Sequence, residues 1–308
     1  MPRRIFCKIS VCSSRKRPTP FGVLAGIFLL ILMLPRAGWA AEKVVGVLLS
    51  REIFPYVSMV EGLETRLKLP VQRFFLDENG TAYSLSGRSA TLNPQLYDVL
   101  VAVGPEALRY LHDRAGSVPV LYSMVLSPRN VIGEQGRLPC GVNLNIPAEA
   151  QFSSIVRFLP LSRKIGVLFD PANNQAWFKS ASVVAASRKL ELVPLQVIRQ
   201  GDRLDLAGEF SHLDAILFIP DPSVISKSVI QHVIKQAVIK GIPAVGYNQF
   251  FLDSGATLAL IIDYRKVGAQ VARQVEQVLA GERCEMGVSP EYDAVFNEEV
   301  WRTLRKKD

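Results

Sequence analysis

The body of the chain alternates short apolar runs with segments whose apolar positions recur every three or four residues. Runs of strand length occur at 44–49, 71–76, 99–103 and 118–122, and again at 165–169, 192–198, 215–219 and 244–247. Most are apolar throughout. A strand with one wet face alternates, whereas a strand covered on both faces does not, so the pattern predicts parallel sheets flanked by helices. Between the runs, residues 57–69 place Val57, Val60, Leu63 and Leu67 on one helix face. Residues 105–111, opening on Pro105 at a first-turn position, and residues 177–190, 223–239 and 267–279 are the other predicted helices. The tail reads as a last strand at 291–296 and a short helix at 298–304. Repeated strand–helix–strand units imply right-handed crossovers, and so an α/β fold. Each half opens alike, with an apolar strand running into a polar turn at 49–52 (LSRE) and at 169–174 (FDPANN). The stretch 127–148, rich in Pro, Gly and Asn, is the natural crossing between them. The expectation is two doubly wound parallel-sheet lobes.

Residues 1–40 stand apart. A basic segment precedes an apolar run at 21–34, whose 14 residues end at Pro35. A membrane-spanning helix needs about 20 residues, so this run is too short for one. Gly38-Trp39-Ala40 then offers small residues at the −3 and −1 positions of a cleavage site. Basic, apolar, then small is the order of a secretory signal peptide, and removal after Ala40 is expected, leaving a soluble periplasmic or otherwise exported product. No Cys follows that site, which argues against a lipid anchor. Arg3-Arg4 resembles a twin-arginine signal only weakly.

This leader also accounts for the charge. The chain of 308 residues has a formal net charge of +8, but seven of its 36 basic residues and none of its acids lie in the leader. The remainder carries 29 basic and 28 acidic residues, a balance that gives no footprint for a phosphate backbone. Nucleic acid is therefore not an expected partner. With 49% hydrophobic and 21% charged residues, the chain is not disordered as a whole.

The chemistry of catalysis is hard to find. His112, His212 and His232 have no second His or Cys at ligand spacing, so neither a metal site nor a cofactor is expected. A nucleophile elbow, a P-loop, an H-E-x-x-H helix and a dinucleotide-binding glycine loop are all missing, and the carboxylates are scattered. A non-enzymatic role is expected. Two cysteines, Cys140 and Cys284, follow the leader. Two separate buried thiols are the first expectation for them, though an exported compartment permits a disulfide.

In doubly wound sheets, ligands bind beyond the carboxyl ends of the strands. The residues falling there are small, polar or amide-bearing. In the first half they are Ser50, Arg51 and Tyr56, then Gly104, Pro105 and Glu106 at a helix start, and Ser123 and Met124. In the second they are Asp170, Asn173 and Asn174, then Asp221, and Tyr247 with Asn248. Each has a structural alternative: Asn173 and Asn174 as helix caps, Asp221 as an N-cap before Pro222, Tyr247 as core. Together they point to a small-molecule site between two facing rims.

Residues 242–256 (IPAVGYNQFFLDSGA), 262–268 (IDYRKVG) and 279–282 (LAGE) resemble the ABC-transporter substrate-binding proteins of the periplasmic-binding type I fold, in the branch that includes tryptophan- and tyrosine-binding relatives. Residues 98–104 (DVLVAVG) and 118–125 (VPVLYSMV) sit where that family has its third and fourth strands. Residues 139–142 (PCGV) resemble its first interlobe crossing, and 164–171 (KIGVLFDP) the first strand of its second lobe. The resemblance spans 43–284. It implies two lobes joined by a hinge, lobe one at 42–145 plus 255–284 and lobe two at 146–254 plus 285–308. It further implies a monomer that closes on a small-molecule solute and delivers it to an ABC permease in the membrane. The same closure would serve a sensor docking on a membrane receptor or sensor kinase, and an exported enzyme on this architecture is the remaining class. The chain departs from the family where a Ser and two acids are common, having Tyr247-Asn248-Gln249 instead. A carboxylate for an amino-acid ammonium is lost there, with Asp221 or Glu106 as candidate substitutes. The family's crossings would also run Cys140 beside Cys284, which brings a bond between them into consideration; counting free thiols decides it.

Overall fold

The computed structural model describes residues 43–84, 92–196 and 209–305. The leader, the end of the run at 192–198 and the last three residues lie outside them.

The first lobe runs β1 (Val45–Leu49), α1 (Phe54–Leu67), β2 (Val71–Leu76), β3 (Ala82–Ser84), β4 (Val99–Val103), α2 (Pro105–Arg114), β5 (Val120–Val125), α3 (Pro128–Ile132) and β6 (Cys140–Asn143). The second runs α4 (Ala148–Phe158), β7 (Lys164–Phe169), α5 (Pro171–Ser187), β8 (Glu191–Gln196), β9 (Ala215–Phe218), α6 (Lys227–Ile239), β10 (Ala244–Gly246), α7 (Gln249–Asp253) and β11 (Leu258–Ile262). Then α8 (Tyr264–Leu279) returns to the first lobe, and β12 (Tyr292–Phe296) with α9 (Glu298–Arg305) ends the chain in the second.

The strand orders are β3-β2-β1-β4-β5-β6 and β12-β11-β10-β9-β7-β8. All pairs are parallel except β2 with β3 and β11 with β12. The two sheets are thus doubly wound and mostly parallel, each with an antiparallel edge strand. The continuously apolar runs behave as their pattern requires: every residue of β1, β4 and β9 is buried. Each sheet has apolar clusters on its two faces, one uniting β1, β4, α1 and α8 and another uniting β1 and β4 with α2.

The strand at Leu258–Ile262 corrects the expected lobe boundary. A return to the first lobe at residue 255 would put it in the first sheet, but it pairs in parallel with β10, Val245 opposite Leu258. The chain leaves the second sheet only at Asp263, whose carboxylate accepts the backbone N–H groups of Arg265 and Lys266 and so starts α8.

Helices α1 and α8 meet through two glycines. A Cβ on Gly268 would run into the Met59 carbonyl oxygen and lie 2.6 Å from the Leu63 nitrogen; one on Gly62 would meet the Arg265 backbone. Backbone–backbone contact this close admits no side chain. Gly268→Ala is therefore expected to lower the unfolding free energy by about 2 kcal/mol, overpacking outweighing the helix propensity gained. Urea denaturation measures it, and an unchanged or higher midpoint would mean that the helices separate without cost.

Three stretches cross between the lobes, after β6, at Asp263, and before β12. They lie side by side: Asn143 N–H donates to the Val288 carbonyl at 2.8 Å and Asp263 N–H to the Glu291 carbonyl at 3.2 Å. Cys140 and Cys284 are bonded, their Cα atoms 5.8 Å apart, so the two thiols are not separate. The bond ties the start of β6 to the chain just after α8.

Candidate functional site

The second lobe carries a knot of polar groups beyond β7 and β9. Asp221, 1% exposed, is its centre. One carboxylate oxygen accepts the Asp170 backbone N–H and the Asn174 amide, both at 2.8 Å. The other accepts the Ser223 backbone N–H at 2.9 Å and the Asn173 amide at 3.4 Å. Asp170 caps α5 through Ala172 N–H at 2.9 Å and accepts the Ser223 hydroxyl at 2.7 Å. The Asn173 amide nitrogen also reaches Ser223 Oγ, and that of Asn174 reaches the Pro220 carbonyl. Four N–H donors converge on one buried carboxylate, so two strand ends and the first turn of α5 are held as a unit.

This unit edges a cavity of about 580 Å³. Its floor is the ends of β9, β10 and β11. Asn173, Asn174 and Trp177 of α5 form one side, and Tyr247 and Asn248 another. Asn145 and Ile146 close it from the first crossing, Gln151 from α4 and Tyr264 from the start of α8, and Leu126, Ser127 and Asn130 reach it from the first lobe. Burial, reinforced by the charge of Asp221, pushes the Tyr247 hydroxyl up to about 12. Burial raises Tyr264 as well. Both phenols therefore stay protonated at neutral pH.

Of the residues expected from sequence, Asn173, Asn174, Tyr247 and Asn248 come together on this cavity. Asp221 and Asp170 stand behind it as supports, so Asp221 is not open to a ligand ammonium. The structural reading of Asn173 and Asn174 as caps is replaced: Asp170 caps α5, and the two amides bind Asp221. Tyr247 also packs on Phe251, ring centroids 4.6 Å apart, so its core and wall roles coexist.

The first-lobe set does not line the cavity. Ser50 is buried, and its hydroxyl accepts the Ala107 backbone N–H at 2.8 Å, holding the start of α2. Gly104 has φ +95°, and a Cβ there would strike Ser50 and Tyr56. Pro105 opens α2, and Glu106 pairs with Arg51 at 3.3 Å on the surface, so Glu106 too already has a cationic partner. The Tyr56 hydroxyl is raised by burial, then by Glu106, with Arg51 opposing. Ser123 and Met124 are buried at a bulge in β5, with Met124 in the core.

Sequence reasoning missed Asn130, Asn145, Gln151 and Tyr264 as wall residues, although Tyr264 lies in the family-like segment at 262–268. Among the described residues, no cluster of three His, Cys, Asp or Glu is placed to hold a metal. Among them also, no helix is long and apolar enough to cross a membrane.

Residues 82–300 match the family model described as ABC transporter substrate binding protein. No curated protein matches the chain. Among solved structures, the ABC domain from Streptococcus pneumonia in complex with L-Trp is similar, with 19% identity, a TM-score of 0.56, and coverage of 86% of this chain and 95% of that one. A ligand-free, open substrate-binding protein with adhesive properties from Clostridium difficile has 16% identity and a TM-score of 0.66, over 85% and 95% of the two chains. An ABC transporter solute-binding protein from Bacillus halodurans with bound myo-inositol has 16% identity and a TM-score of 0.50, over 87% and 99%. At these identities the structures establish a shared fold, while the family match spans most of the chain: it belongs to the ABC transporter substrate-binding protein family.

Proposed function

We propose that this is an exported solute-binding protein whose lobes close on a small molecule and hand it, as a monomer, to an ABC permease in the membrane. The observation that carries the reading is the cavity at the carboxyl ends of the second sheet, walled by amides and aromatic rings and touched by both lobes and two crossings. Three adjacent crossings supply a hinge. Closure would bring the first-lobe rim, Arg51, Tyr56 and Gly104 to Glu106, onto the solute. Residues 1–40 would direct export and then be removed. Binding and release need no bond-making, in keeping with a site that has amides where an enzyme would place an acid–base pair.

Mass spectrometry of whatever co-purifies with the protein, followed by a thermal-shift screen of neutral, cationic and anionic metabolites, tests the reading. A solute at 100 times its Kd stabilises the folded state by about 2.7 kcal/mol, so its melting temperature must rise. Absence of any shift from any solute class would remove the binding role. Once a solute is found, Asn248→Ala is expected to raise its Kd about tenfold, the worth of one buried hydrogen bond, with unfolding free energy within about 0.5 kcal/mol of wild type. Unchanged affinity would place the solute elsewhere.

A further inference from the structure

The wall of the cavity has a polarity of its own. Among the described residues that line it, none carries a charge. The charged residues beside the lining in sequence are committed to the protein. Asp170 and Asp221 belong to the polar knot. Asp263 caps α8 and faces the Lys266 ammonium at 3.5 Å, and Arg265 pairs with Glu61. Arg129 donates to the carbonyls of Glu134 and Gly136. At the first-lobe rim, Arg51 and Glu106 neutralise each other.

Four of the amides, those of Asn145, Gln151, Asn173 and Asn174, are also oriented alike. Gln151 donates its nitrogen to the Ile146 carbonyl at 2.8 Å, and Asn145 donates to the Leu126 carbonyl. Asn173 and Asn174 each direct their nitrogen at two acceptors, Asp221 among them. Only the nitrogen end of an amide can donate to a carbonyl or a carboxylate, so these partners fix which end of each amide is which. What remains is the carbonyl oxygen of each, with one further N–H on Gln151 and on Asn145. The Gln151 Oε1 and Asn248 Oδ1 atoms are buried without a hydrogen-bond partner. A buried acceptor left unpaired costs about 1–3 kcal/mol, so a ligand supplying N–H or O–H groups gains from meeting them. Trp177, Tyr247 and Tyr264 add aromatic side chains to the same wall.

We infer that the site takes an uncharged ring compound bearing several N–H or O–H donors, such as a nucleoside or a cyclic polyol, rather than an amino acid or an organic ion. A free carboxylate would be desolvated here with no countercharge, and a free ammonium would meet the Asp221 charge only from behind the amides that already bind it. The inference rests on the solute-binding reading and narrows it.

The test is calorimetric titration of the protein with adenosine, uridine and myo-inositol on one side, and L-tryptophan, L-lysine and L-glutamate on the other. Binding by at least one neutral probe is expected, at least tenfold tighter than any charged or zwitterionic one. The Kd of a neutral probe should change less than about twofold between 0.05 and 0.5 M salt, because no ion pair is there to be screened. Trp177→Ala should weaken that probe about tenfold through loss of one aromatic face. Adenosine and uridine binding without myo-inositol would assign the nitrogen-bearing ring, and the reverse would assign the polyol. Tighter binding of a zwitterion or ion overturns the inference and leaves solute binding standing. Binding of none of the six, with no solute co-purifying, overturns both.

Discussion

Asp221→Ala is expected to lower the unfolding free energy by about 3–4 kcal/mol, several times the effect of an ordinary polar surface substitution. The carboxylate is buried and receives two backbone N–H groups and two side-chain amides. Its removal leaves those donors facing one another with no acceptor between them. Asn173 is exposed, so water can replace the acceptor on that side of the knot, and the loss is recovered only in part. Asp221→Asn keeps one acceptor oxygen and turns an N–H2 group toward donors, which sets an intermediate loss of about 2 kcal/mol. The same substitutions free Asn173 and Asn174 to turn, so solute affinity should fall together with stability, whereas Asn248→Ala separates the two. Urea denaturation gives the first quantity and titration the second. An Asp221→Ala protein within about 0.5 kcal/mol of wild type would mean that the knot does not hold the strand ends.

Asp221 also shows where sequence reading reached its limit. Its position after a strand and before Pro222 marked it as a rim residue or a helix cap, and both readings rested on its neighbours in the chain. One partner, the Ser223 N–H, is local, but the other three lie about fifty residues away, in a different crossover unit, and no local pattern announces that distance. The strands tell the opposite story. A short apolar run is written into each of these strands separately, so β1, β2, β4, β5, β7, β8, β9 and β10 were legible one by one, even where, as in β2, only two positions are fully buried. β6 (Cys140–Asn143) was not, since its four residues CGVN hold a single branched apolar side chain, nor was the three-residue edge strand β3. Helix α4 was hidden because it opens after Pro147 with no side-chain cap, though Phe152 and Ile155 mark its buried face. With that helix, Gln151 went unseen. The lobe-two wall residues were legible because topology alone puts them beyond the carboxyl ends of the strands, where the cavity lies; Ser123 and Met124 stand apart from it, buried at the bulge in β5.

Removing the Cys140–Cys284 bond by the double substitution Cys140→Ser, Cys284→Ser is expected to cost about 4 kcal/mol of stability while leaving solute affinity within about twofold of wild type. The bond joins residues 144 positions apart, so it closes a long loop and restricts the unfolded chain strongly. The native geometry around it has other support. Gly141 N–H donates to the Glu285 carbonyl at 3.1 Å, and Val288 N–H to the Gly141 carbonyl at 2.9 Å, so the segment after Cys284 runs along β6 by backbone bonds alone. The Tyr122 hydroxyl donates to Asn143 at 2.6 Å, and the Asn143 amide donates to the Gly287 carbonyl, which fastens the same crossing from the sheet side. The folded state therefore survives the substitution with its hinge intact, and the loss falls on the folding equilibrium. Wild-type protein denatured with dithiothreitol present should match the double variant, and without reductant it should present no reactive thiol from this pair. A double variant as stable as the oxidised protein would show that the unfolded chain gains little freedom from opening the loop. A loss of affinity beyond tenfold would show instead that the bond sets the position of the crossings, and with them the wall formed by Asn145 and Gln151.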